Sequence, residues 1–61
     1  MDFIVGQEVV YEGIPNRRLV VSSFEGENDV VCKWNEKGIV WFGIFDKMTL
    51  TIYEKPEIIF F

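Results

Sequence analysis

The chain contains no histidine and a single cysteine, Cys32. One thiol cannot form a disulfide within the chain, and without imidazole the Cys/His sets of structural zinc sites cannot be assembled. The same absence removes the side chain that most often moves protons near neutral pH. A nucleophilic cysteine needs exposure and an electropositive setting. Cys32 instead lies between Val30 and Trp34 at a spacing of two, the parity of an inward-facing strand residue. No pair among the ten acidic residues is singled out by its spacing. The expectation is a protein that is not an enzyme, with no cofactor, no metal and no evident small-molecule substrate.

Long hydrophobic runs are missing too. Nothing approaches the roughly 20 apolar residues of a membrane-spanning helix, and no basic segment followed by an apolar run marks a signal peptide. With the lone cysteine, which suits a reducing compartment, this points to the cytoplasm and to no membrane partner. Positive charge is scarce: six Lys and Arg stand against ten Asp and Glu, a formal net charge of −4. Nucleic-acid binding draws on a cationic surface that displaces counterions, so this balance argues against it for the chain as a whole.

What remains is a single domain of 61 residues, 49% hydrophobic and 16% aromatic. A chain of this length buries only about 60% of its unfolded surface, so it needs dense apolar packing or self-association. No segment sustains a 3.6-residue apolar period, whereas β-branched and aromatic residues recur between turn signals. The pattern predicts strands over 7–12, 17–24, 30–34, 39–45 and 49–54. Turns are expected at Gly13-Ile14-Pro15-Asn16, at the acidic stretch 25–29 and, with type I character, at 35–38. Leu19, Val21 and Ser23 are expected to share one face, and Val20, Ser22 and Phe24 the other. Asp46-Lys47-Met48 suits a short 3₁₀ turn begun by Asp46. Five strands with such a link before the last describe an all-β fold, a small SH3-like barrel; an OB-type barrel is the alternative and usually needs more chain. The barrel is expected over 1–55, with 56–61 an apolar tail able to add an edge strand. The expected core is Val9, Leu19, Val21, Val30, Cys32, Trp34, Phe45, Leu50 and Ile52.

Gly6 with Val9, Gly13 with Pro15, Leu19 and Val21, the alternation Val30, Cys32, Trp34, and Phe45 ahead of Leu50 form a series over about residues 3–53. In this the chain resembles the YodC-like family of short bacterial and phage proteins of unknown function. The turn after the first strand, with Asn16-Arg17-Arg18 following Pro15, looks longer than the family's, and the tail from Pro56 has no counterpart there. The resemblance implies a small SH3-like barrel and brings no activity with it.

The fourth strand breaks the rule of alternation. Ile39, Val40, Trp41, Phe42, Ile44 and Phe45 are all apolar, with Gly43 among them as the sign of a bulge or of a close approach. Two tryptophans, two tyrosines and six phenylalanines exceed what so small a core can hold. Exposed aromatic patches mark interfaces, so Tyr11, Trp41, Phe42 and Tyr53 are the candidate interface for a protein partner or a homodimer. A second reading is a nucleic-acid accessory protein using Arg17, Arg18 and Lys33, with Lys47 beside them. Glu25, Glu27 and Asp29 share one turn, but without the spacing of a calcium loop they read as a solvated hairpin tip.

Overall fold

The structure is a computed structural model, and it describes residues 3–54. Among these residues five strands form: β1 (Glu8–Tyr11), β2 (Ile14–Glu25), β3 (Asp29–Glu36), β4 (Ile39–Asp46) and β5 (Leu50–Ile52). A 3₁₀ turn, Lys47–Thr49, precedes β5; Asp46 caps it, its carboxylate accepting from the Met48 N–H at 2.9 Å. The strands make one antiparallel sheet in the order β4-β3-β2-β1-β5.

That order forces curvature. β4 and β5 are the outermost strands, yet only the three residues 47–49 join them. In a flat sheet they would lie four strand spacings apart, roughly 19 Å, while three 3₁₀ residues rise only about 6 Å. The sheet therefore curls until the Asp46 end of β4 meets the Leu50 end of β5. Tyr11 on β1 and Phe45 on β4 are separated in the sheet by β2 and β3, yet their ring centroids lie 4.9 Å apart. β4 and β5 share no ladder, so the sheet is curled and open rather than closed.

The concave face holds the core. Val9, Leu19, Val21, Val30, Cys32 and Leu50 are buried there, with Tyr11, Trp34, Phe45 and Ile52 packed against them. Cross-strand pairing puts them on one face: Val9 lies opposite Leu19 and Ile52, Val21 opposite Cys32, and Val30 opposite Phe45. Phe3 joins this core ahead of β1, a residue the strand pattern does not select. The chain reverses after it at Gly6, whose N–H donates to the Val21 carbonyl at 2.9 Å.

Three local expectations are corrected. The first turn is Glu12-Gly13 alone; β2 starts at Ile14, which pairs with Tyr11, and the register then jumps to Val10 opposite Arg18. Pro15 and its neighbours are the irregular part of a strand rather than a turn. A second register shift follows Val21, and it brings Phe24 opposite the buried Val30. Phe24 therefore does not stay on the face of Val20, as uninterrupted alternation would place it. Between β3 and β4 the turn is the two residues Lys37-Gly38, both at positive φ (55° and 80°). That is type I′, whose twist matches the flanking strands, rather than type I. The expected tail at 56–61 lies outside the described residues.

Candidate functional site

β4 positions the only long apolar surface among the described strands. From residue 39 to residue 45 it carries no charge, and among the described residues it pairs on one side only, with β3. Natural sheets blunt such edges with lysine, proline, bulges or short strands. None of these interrupts β4, whose eight residues pair with β3 without a register shift.

The apolar side chains divide between two faces. Val40, Phe42 and Ile44 lie opposite Asn35, Lys33 and Val31, on the convex face, and are 54, 61 and 62% exposed. Trp41 lies opposite Trp34 on the concave face, near its rim, and is 48% exposed. Trp41 and Phe42 therefore do not form one aromatic face; they stand on opposite sides of an edge. Gly43 marks no bulge. A Cβ on it would lie 3.1–3.3 Å from the rings of Phe45 and Trp34, so its bare backbone is what those rings pack over.

Among the described residues the backbone of this edge is also open. Residues 36 and 39 flank a two-residue turn and form a hydrogen-bonded pair, so bonding alternates from there. Residues 39, 41, 43 and 45 face β3, a sequence that the Lys47 N–H continues by donating to the Asn28 carbonyl at 2.8 Å. The N–H and C=O groups of Val40, Phe42 and Ile44 then point away from the sheet. The same three residues offer exposed apolar side chains and ladder groups that no described strand pairs.

The other candidates are scattered. Tyr11 is half-buried against Phe45. Tyr53, after β5, carries the Arg18 guanidinium 5.1 Å above its ring. Neither lies on β4. Arg17 forms a two-pronged pair with Glu36 at 2.8 and 3.3 Å, which raises its pKa and holds the Glu36 carboxyl below the usual carboxylate range. Arg18 stands 3.7 Å from Glu8. Lys33 shares the convex face with Phe42, whereas Arg17 reaches Glu36 on the concave side, so the three cations do not form one patch. Glu25 pairs with Asp29 across the hairpin tip, and among the described residues no group of three or more acids or cysteines is placed to hold a metal ion. Cys32 is buried, and burial pushes its thiol pKa up. A shallow groove of about 240 Å³ lies between Phe3, Phe24 and Val30, rimmed by Glu27, Asp29 and Lys47.

Val40 and Ile44, and the outward backbone they share with Phe42, are the candidate features that composition alone does not select. Their signal was the parity of β4 counted from its turn, which places 40, 42 and 44 together. No helix among the described residues is long and apolar enough to cross a membrane. Compared with known proteins, the chain matches no family model, no curated protein and no solved structure.

Proposed function

We propose that the protein is a small, non-enzymatic interaction module that docks a protein partner on the open edge and convex face of β4. One observation carries the reading: an unblunted edge strand, free of charge over seven residues, presents Val40, Phe42 and Ile44 with their backbone groups unclaimed by any of the described strands. An extended segment laid along it gains a ladder of main-chain bonds and covers apolar surface in one step, the strand-addition mode of recognition.

The fold reading that goes with this is an SH3-like barrel opened at the seam between β4 and β5. Its support is the meander order, the return of β5 to β1, and the 3₁₀ link. The YodC-like resemblance remains part of the same proposal, since its marks Val30, Cys32 and Trp34 are the spine of β3. Cytoplasmic residence and the lack of a catalytic role rest on the lone buried thiol and the missing histidine.

A photo-crosslinking amino acid at Ile44, and separately at Thr51 on the exposed side of β5, tests the reading in cell extract. Adducts from position 44 and none from position 51, abolished when Phe42→Glu is added, are the expected result. Equal yields from the two positions would overturn it.

A further inference from the structure

We infer that the occupant of this edge is a second copy of the same chain, its β4 running antiparallel to the first about a two-fold axis at Phe42. The inference rests on reading β4 as a docking surface and names what docks there. Register decides it. Outward ladder groups belong to residues 40, 42 and 44, so a productive pairing must match these residues with one another. An axis at Phe42 does so throughout: Phe42 faces Phe42, and Val40 faces Ile44 in both directions. An axis at Gly43 instead sets Val40 against Asp46, and an axis at Trp41 runs Ile44 into the Lys37-Gly38 turn.

Side chains agree with the same register. On the concave side Trp41 of one copy falls opposite Gly43 of the other, a bulky ring against a position with no side chain. Charge agrees as well. The chain carries −4, which opposes self-association in general, but residues 39–45 carry none. β4 is flanked by Lys37 at its start and Asp46 at its end. Antiparallel alignment sets Asp46 opposite Gly38 and Lys37 opposite Lys47 of the second copy, so each Asp46 stands between its own Lys47 and the second copy's Lys37, whereas parallel alignment would set Asp46 against Asp46 with no lysine of the second copy beside it. Lys47, next to Asp46, contributes to the groove beside Phe3 and Phe24. Two curled sheets would thus continue into one, and each would cover the other's exposed edge.

The test uses the full chain at low-micromolar to near-millimolar concentration. Sedimentation is expected to show the mass rising from one chain toward two. Val40→Glu and Ile44→Lys, each at an exposed position, are expected to weaken association about tenfold or more by leaving a charge against an apolar partner. The double variant Val40→Glu/Ile44→Lys, in which each carboxylate meets an ammonium across the two-fold, is expected to recover most of it. Phe42→Cys, which keeps the edge uncharged, is expected to form a disulfide-linked dimer on mild oxidation. A chain that stays single at every concentration, or single variants with undiminished association, or a double variant weaker than both singles, would overturn the inference.

Amide exchange at Val40, Phe42 and Ile44 separates this failure from failure of the docking reading. Fast exchange in a single chain removes the second copy but leaves the edge open to another partner. Slow exchange in a single chain means the edge is already covered within the chain, and both readings fall.

Discussion

Lys37 is a non-glycine residue with a φ of 55°, in the left-handed region where a Cβ crowds the following carbonyl. Gly38 beside it meets the same demand without cost, and asparagine is the residue type I′ turns favour ahead of glycine. Lys37→Asn is therefore expected to stabilise the fold by about 0.5–1 kcal/mol, read as a raised melting temperature. At Cys32 the opposite holds. Its site is fully buried among Val21, Val30 and Leu19, and no buried side-chain polar atom among the described residues lacks a partner. Cys32→Ser adds a hydroxyl to this apolar setting and is expected to cost about 1–3 kcal/mol in denaturant unfolding. In the native chain the thiol is expected to resist labelling until the sheet opens. The Arg17–Glu36 pair is exposed and contributes little, but its pH dependence has a definite sign. Glu36 is held below its ordinary range by the guanidinium hydrogen bond, so the ionised form favours folding. The contribution is present above the ordinary glutamate value, about 4.3, and is lost as pH falls through the lower folded value. Glu36→Gln is thus expected to lower the melting temperature slightly at neutral pH and to make no difference in strong acid.

At the scale of elements, the alternation in β3 was enough to place Val30, Cys32 and Trp34 inward, and the structure puts them there. Alternation failed in β2, where the register shift after Val21 brings Phe24 opposite Val30. A bulge is chosen by the twist the whole sheet requires, so no local pattern around Ser22 announces it. The turn at Pro15 was misplaced for a related reason. Proline fixes its own φ, and that is as compatible with an irregular strand as with a turn. In β4 the missing alternation was legible as a strand with an unusual fate, while the separation of Trp41 from Phe42 follows only from parity. That separation has a measurable consequence. Leu19→Ala removes a fully buried side chain and is expected to cost about 2–5 kcal/mol. Phe42→Ala removes a ring that is 61% exposed and is expected to cost less than about 1 kcal/mol to the single chain, measured at concentrations low enough to exclude association. A core-sized loss at Phe42 would mean the convex face is covered by its own chain.

For the whole molecule, the decisive feature is curl, and it was only half legible. A short 3₁₀ link before the last strand could be read from Asp46 and its neighbours, but how far the sheet bends depends on contacts between residues distant in sequence. Tyr11 and Phe45 are the clearest of these. They belong to β1 and β4, which no ladder joins, and their rings meet at 4.9 Å with planes tilted by 50°. Phe45 also stands edge-on to Trp34, with centroids 6.1 Å apart, so one ring ties the far side of the sheet to its centre. In a flat sheet, strands separated by two others would hold these residues on the order of 14 Å apart, and replacing one would not alter the effect of replacing the other. A double-mutant cycle with Tyr11→Leu and Phe45→Leu keeps both sites apolar while removing the ring contact. The curled sheet predicts a coupling of about 0.5–1.5 kcal/mol in unfolding free energy, the range for aromatic pairs. Additive losses would show that β1 and β4 do not meet through these rings, and that the curl is held by the capped turn between β4 and β5 rather than by this contact.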